Sequence, residues 1–226
     1  MYKAKVKEYF VSIQGEGPYV GYQQLFIRFC GCNLNCSYCD TDFSASADCT
    51  EYTPSELFNE LNNKDLLKNI HSVSLTGGEP LLQVDFMSEF LPLFNKKIPI
   101  YLETNATLYE QATKIIDYID IISADIKLPS SSGKDLFYLH DRFFEVVKDK
   151  NTFAKVIFDG CVTNFEIKQV CELAKKYGFE LILSPVMIGN KPSVSGEFMS
   201  KILTKALNYY SKVRVIPQVH KFIEIE

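Results

Sequence analysis

Three cysteines stand together in the stretch Cys32-Asn-Leu-Asn-Cys36-Ser-Tyr-Cys39. Thiolates so closely spaced can wrap one compact centre without distant help. They are the usual ligands of iron–sulfur clusters and of structural zinc. Structural zinc normally has four protein ligands, and Cys30 or Cys49 is available as the fourth. Zinc motifs usually come as two separated pairs, however, and no second CxxC or HxxxH follows. Three cysteines with an open fourth position suit a cluster whose last iron binds something else. The third reading, plain buried thiols, fits poorly with a polar loop containing Asn33 and Asn35. Cys171 differs, because it falls on the apolar stripe of a helix and reads as core.

Further groups frame that loop. Thr76-Gly77-Gly78-Glu79-Pro80 follows an apolar run. Alone, Gly-Gly signals a turn. Beside a binding loop, glycine also lets backbone polar groups approach a ligand closely. Arg28 ends the apolar run before the cysteines. A buried guanidinium needs an anion, either a substrate carboxylate or an internal partner such as Glu16 or Asp40.

These side chains need a scaffold. Continuous apolar runs at Leu25–Phe29, Ser72–Leu75, Ile98–Glu103, Ile119–Ile126, Ala154–Phe158, Glu180–Val186 and Val213–Val219 read as strands buried on both faces. Helical patterns lie between them. Thr53, Pro54 and Glu56 form a capping-box start, and Thr163 with Glu166 repeats it. The second helix spaces Phe165, Ile167, Val170, Cys171, Leu173 and Ala174 along one stripe and ends at Gly178. The segment from Ser195 to Lys212 reads as a third. Alternating strands and helices predict an α/β fold with parallel strands, an incomplete TIM-type β/α barrel of about six or seven strands. Sites in such folds lie beyond the C-terminal strand ends, where the cysteine loop falls. Neither repeats nor a convincing linker divides residues 1–226, so one domain is expected.

Composition narrows the partners. Net charge is −4 and Lys and Arg are scattered, which gives no support to nucleic-acid or membrane-surface binding. No stretch approaches the roughly 20 apolar residues of a membrane span. A cytoplasmic protein is expected, a compartment in which disulfides are disfavoured and clustered cysteines point to metal or catalysis.

CxxxCxxC followed by Asp40-Thr41 resembles the radical S-adenosylmethionine (SAM) enzymes. The resemblance implies that Cys32, Cys36 and Cys39 hold three irons of a [4Fe–4S] cluster, the fourth iron being chelated by SAM. Reductive cleavage of SAM then gives a 5′-deoxyadenosyl radical that abstracts hydrogen. The GGEP segment resembles the family's contact to the amino end of SAM, through Gly78 and Glu79, and Tyr38 its contact to adenine. Within the superfamily, Ser12-Ile13-Gln14-Gly15-Glu16-Gly17, Arg28 and Cys39-Asp40-Thr41 closely resemble the 7-carboxy-7-deazaguanine synthase family. Glu103-Thr104-Asn105, Asp125-Ile126-Lys127 and Pro217-Gln218-Val219-His220-Lys221 continue the match over nearly the whole chain. That family contracts the ring of 6-carboxy-5,6,7,8-tetrahydropterin to 7-carboxy-7-deazaguanine with loss of ammonia, in queuosine and related deazapurine biosynthesis.

The resemblance implies roles residue by residue. Ile13, Gln14, Gly15 and Glu16 line the pterin pocket, where Gln and carboxylate groups suit a donor–acceptor edge; the alternative is a plain turn. Arg28, Thr76 and His220 contact substrate, and Thr41 binds Mg²⁺ with substrate oxygens completing the sphere. Asp40, Glu103, Asn105, Asp125 and Lys127 contact SAM, although Asp125 and Lys127 also read as a salt bridge. A flavodoxin or ferredoxin reductant and a homodimer are implied too. The acidic end at Glu226 departs from relatives whose chain end reaches the substrate. Two rival readings are a glycyl-radical-enzyme activase, which has no use for a pterin-binding segment, and a zinc-stapled binding module without catalysis.

Overall fold

The computed structural model describes residues 2–39 and 48–225. β1 (Ala4–Ile13) pairs antiparallel with β2 (Gln23–Phe29) and with β3 (Thr50–Tyr52). From β2 the sheet continues through β4 (Ser72–Gly77), β5 (Ile100–Thr104), β6 (Ile121–Asp125), β7 (Asn151–Phe158) and β8 (Glu180–Pro185), each parallel to its neighbour. β9 (Met187–Ile188) and β10 (Lys191–Pro192) form a separate ribbon. β11 (Val213–Val215) then adds in parallel to β8. The two ends of the sheet, β11 and β3, do not pair among the described residues. The arrangement is the expected open α/β barrel of parallel strands, extended by β1 and β3, which the apolar runs did not predict. β1 interleaves Lys5, Lys7 and Glu8 with its apolar positions, and only Ala4 and Val6 are buried.

Helices α1 (Pro54–Asn63), α2 (Val84–Phe90), α3 (Tyr109–Ile115), α4 (Pro129–Ser132), α5 (Phe137–Val147), α6 (Asn164–Tyr177) and α7 (Gly196–Leu207) fill the connections between strands, and α8 (Val219–Phe222) follows β11. Both expected capping boxes form, Thr53 with Glu56 and Thr163 with Glu166. Each such cap contributes about 1 kcal/mol. Gly178 closes α6 at φ 76°, the left-handed conformation glycine adopts freely. One stripe residue departs from expectation. Phe165 faces solvent at 68% exposure, while Ile167, Val170, Cys171, Leu173 and Ala174 are buried. Position 165 lies in the first turn of α6, off the face that the other five share.

The main core lies between the sheet and the helices. A second, smaller cluster of Tyr101, Ile121, Phe153 and Ile182 is closed by Tyr19 and Ile216. Side chains alternate along a strand, so residues two places further on share that cluster's face. They are Glu103, Ser123, Lys155 and Ser184, followed by Asp125 on β6. The face is therefore apolar toward the strands' N-terminal ends and polar toward their C-terminal ends, where sites belong. The last strand is shorter than expected, ending at Val215 rather than Val219. Pro217 offers no N–H to a ladder, and the chain turns away, carrying Gln218 and His220 toward Glu16.

Candidate active site

A cavity of about 290 Å³ opens at the C-terminal strand ends, and Cys32, Cys36 and Cys39 all line it. The cysteine loop is rooted against the Gly-Gly turn. Gly78 N–H donates to Phe29 O at 3.2 Å and Glu79 N–H to Gly31 O at 2.9 Å. A Cβ on Gly78 would lie 2.0 Å from Gly31 O, and one on Gly77 (φ +125°) 2.3 Å from Phe29 O. These glycines are needed for strand-to-strand approach beside Cys32. Gly78→Ala is accordingly expected to displace the loop and at least halve the iron retained after cluster reconstitution. Iron per chain, measured against wild type, checks this; unchanged iron would show that the turn moves without the cysteines.

Glu79 is fully buried and does not line the cavity. Its Oε1 accepts from Leu81 N–H at 3.1 Å and from Thr104 Oγ1 at 2.8 Å, and its Oε2 from Asn105 N–H at 2.7 Å. Burial pushes this carboxyl up to about 7 against those donors. The side chain therefore braces the loop after β5, and its backbone N–H is taken by Gly31 O. Asn105 does line the cavity, with its amide tied to Asn33 and Thr107. Asp125 and Lys127 both line it and also form the salt bridge, at 2.9 Å. Burial works against the Lys127 charge, but Asp125 and Tyr38 outweigh it and raise its pKa. Tyr38 lies under Lys127, whose Nζ is 5.4 Å from the ring centre, and among the described residues the buried Tyr38 hydroxyl has no partner in good hydrogen-bond geometry, Lys127 being its nearest charge. His140, wholly buried, accepts from Lys127 N–H at 3.1 Å through Nε2, with Nδ1 3.2 Å from Ala106 O. Burial lowers it to about 4, so it is a neutral staple between the loops after β5 and β6.

The other end of the cavity centres on a residue the sequence reading passed over. Lys155 projects from β7, register partner of Asp125 on β6. Its ammonium pairs with Glu16 Oε2 and lies 3.3 Å from Asp125 Oδ1. Burial opposes its charge, yet Asp125, Glu16 and Glu103 together hold its pKa well above the usual lysine value. Burial likewise pushes Glu16 up, but Lys155, a 2.5 Å hydrogen bond from Gln218 and the nearby His220 bring it down to about 2. The available signal was a lysine inside the buried run Ala154–Phe158, a position lysine occupies only when paired.

Gln14 is 3% exposed, and both of its amide hydrogens are committed. They go to Gln24 Oε1 at 3.0 Å and Glu103 Oε1 at 2.9 Å, while its Oε1 accepts from Glu16 N–H at 2.9 Å. Its side chain shapes the pocket, and no N–H remains for a ligand's edge. Glu103 also accepts from Thr76 Oγ1 at 2.9 Å, and burial raises its pKa, with Glu16 adding to the effect and Lys155 opposing it. Ile13, Gly15 and Thr76 line the cavity as expected. Gly15 is required by packing, since a Cβ there would lie 2.3 Å from His220 Nδ1. Arg28 lines the cavity too, and its internal partner among the described residues is not Glu16. Its Nε lies 2.9 Å from Glu8 Oε1 across the β1–β2 pair, out of line for a hydrogen bond.

The cysteines outside the triad are settled differently from the zinc reading. Cys30 and Cys49 form a disulfide spanning a sequence separation of 19, contrary to the expectation that disulfides are disfavoured here, and neither is left as a fourth ligand. Among the described residues no His, Cys, Asp or Glu group converges to hold a single metal ion. Thiols that bind different irons of one cluster need not converge on a point. The donor set fits a cluster with SAM: three thiols on one wall, an orphaned tyrosine hydroxyl, and a backbone turn with no room for a Cβ. Asp40, Thr41 and Glu226 lie outside the described residues.

A family model for the radical SAM superfamily matches residues 26–194. The chain is 36% identical to a 7-carboxy-7-deazaguanine synthase of Geobacter sulfurreducens, over 97% of this chain and 97% of that one. It is 35% identical to one of Archaeoglobus fulgidus, over 99% of each. The crystal structure of QueE from Escherichia coli superimposes with a TM-score of 0.68 at 18% identity, covering 96% of this chain and 95% of that one. A structure of TYW1 with a lysine-pyruvate adduct gives a TM-score of 0.60 at 15% identity, over 83% and 74%.

Proposed function

The chain belongs to the radical SAM superfamily and, within it, to the 7-carboxy-7-deazaguanine synthase family, and on that premise we propose how its cavity carries out the ring contraction. It is a radical SAM lyase with a [4Fe–4S] cluster and SAM as cofactors, acting in queuosine-type deazapurine biosynthesis. The substrate is 6-carboxy-5,6,7,8-tetrahydropterin and the products are 7-carboxy-7-deazaguanine and ammonia.

The observation that supports the assignment of roles is that one cavity is lined by two chemistries: the three cysteines with Tyr38, Gly78, Asn105, Asp125 and Lys127, and the group Gln14, Gly15, Glu16, Arg28, Thr76, Glu103 and His220. Lys155, paired with both Glu16 and Asp125, joins the two. Cys32, Cys36 and Cys39 would hold the cluster, which when bound and reduced would supply the electron for cleavage of SAM. Lys127 and Asp125 meet the charged and hydroxyl groups of SAM, and Tyr38 its base. Glu16, kept ionised by Lys155, accepts from the N–H groups of the pterin. Gln14 holds that edge of the pocket in shape through Glu103, whose carboxylate accepts from Gln14 and Thr76 and so departs from the contact to the ribose of SAM expected of it. Arg28 and Lys221 face the substrate carboxylate, and His220 closes the pocket over Gly15.

The finer assignments complete the proposal. Thr41 binds Mg²⁺ with substrate oxygens, a flavodoxin or ferredoxin supplies the electron, and the enzyme is a cytoplasmic homodimer of single-domain chains. No helix among the described residues is long and apolar enough to cross a membrane.

Hydrogen is taken from C6 and returned after contraction. With substrate deuterated at C6, deuterium is expected in recovered SAM. Deazaguanine formed with no label in SAM would contradict that cycle.

A further inference from the structure

We propose that Asn33, Thr107 and Asn105 form a clasp that fixes the cysteine loop against the loop after β5, with Asn33 and Thr107 as positioning residues for SAM. The inference rests on the radical SAM reading of the cavity and not on the identity of the pterin. Asn33 follows Cys32 directly. Its Nδ2 donates to Thr107 Oγ1 at 2.9 Å, Thr107 Oγ1 donates to Asn105 Oδ1 at 2.6 Å, and Asn105 Nδ2 donates to Asn33 Oδ1 at 2.8 Å. Each side chain gives one hydrogen bond and receives one, so the ring closes without a water or ligand. Thr107 N–H adds a further bond to Asn105 Oδ1 at 3.2 Å.

The clasp joins parts that must keep a set separation. On one side is the backbone beside the first cluster cysteine. On the other is Asn105, which lines the cavity and whose own N–H is held by Glu79. A ligand touching both cluster and strand ends is bound well only if the two loops stay in register. Asn105 is 6% exposed and Thr107 4%, so two of the three members are shielded from water, while Asn33 is exposed. Removing Asn33 leaves a buried hydroxyl and a buried amide short of partners, the costly case for a hydrogen bond. Bonds in a closed ring also polarise one another, so the members should fail together. Thr107 does not line the cavity, and any effect of changing it on SAM must pass through the ring.

The test uses cluster-reconstituted protein carrying Asn33→Ala, Thr107→Val, both together, or Thr107→Ser. SAM affinity is expected to fall about tenfold in each of the first two, the loss of roughly one buried hydrogen-bond partnership. The double variant should bind no worse than the weaker single, and Thr107→Ser should stay within about twofold of wild type because it keeps the hydroxyl. The change in the reduced cluster's paramagnetic resonance spectrum on adding SAM should weaken in the same order. In cluster-free protein, amides of residues 32–37 should exchange faster in the first two variants. Unchanged SAM affinity in those variants, or losses that simply add in the double variant, would overturn the clasp. The synthase reading fails separately, if wild type cleaves SAM yet makes no deazaguanine.

Discussion

Alanine at any one of Cys32, Cys36 or Cys39 is expected to lower iron from about four per chain to less than one and to abolish SAM cleavage. The size of the effect follows from the lack of a substitute donor. Cys30 and Cys49 are bonded to each other, Cys171 is buried on α6, and Cys161, in the loop after β7, does not line the cavity. A cluster held by three protein thiolates therefore has no fourth thiol to draw on when one is lost. Cys161→Ser is the matching control and should retain full iron. Iron, sulfide and the visible spectrum of the reconstituted proteins check this. A triad variant that keeps its cluster would show that the site is not the one described.

Lys155→Met is expected to lose about 3–5 kcal/mol of stability, the usual cost of removing one partner from a buried ion pair. The remaining activity on substrate should fall on the order of a hundredfold. Lys155 is buried and stands among Glu16, Asp125 and Glu103, whose carboxylates lose their shared cation when it is removed. Without the ammonium, burial raises Glu16, which would then no longer serve as the permanent acceptor proposed for it. The pH dependence has a definite sign. A carboxyl lowered from 4.5 to about 2 stabilises the fold fully above pH 4.5, and that stability is lost as pH falls toward 2. The stability gap between wild type and Lys155→Met should be widest above pH 4.5 and shrink below it. Lys155→Arg, which keeps the charge, should recover part of the loss. Denaturant unfolding between pH 3 and 8 measures the gap. A gap of constant size would mean that Lys155 contributes packing alone.

The contrast between Cys32 and Lys155 shows what the sequence made legible. A ligand loop is local: three thiols within one short segment declare their chemistry by spacing. The parallel strands are legible for a similar reason, because strands buried on both faces are written as unbroken apolar runs. Lys155 is meaningful only once β6 and β7 are in register and β1 has delivered Glu16, contacts spanning 30 and 139 positions along the chain. The same holds for Gln14 and Glu79, whose types suggested ligand contacts. Which partners a buried amide or carboxylate takes depends on neighbours brought in by folding, and here the protein itself satisfies them. The Cys30–Cys49 pair was masked by compartment reasoning, which weighs against disulfides in general and cannot see that two strands bring these two sulfurs together. β1 was hidden by its position next to the sheet edge, where charged residues interleave with apolar ones.

Contraction of a carboxytetrahydropterin in this cavity is the reaction on which the assigned roles depend. Its most direct test is one anaerobic incubation of reconstituted protein with SAM, a low-potential reductant, Mg²⁺ and 6-carboxy-5,6,7,8-tetrahydropterin. The expected result is 7-carboxy-7-deazaguanine and ammonia in equal amounts, with SAM largely conserved. Steady cleavage of SAM with no deazaguanine formed would contradict it.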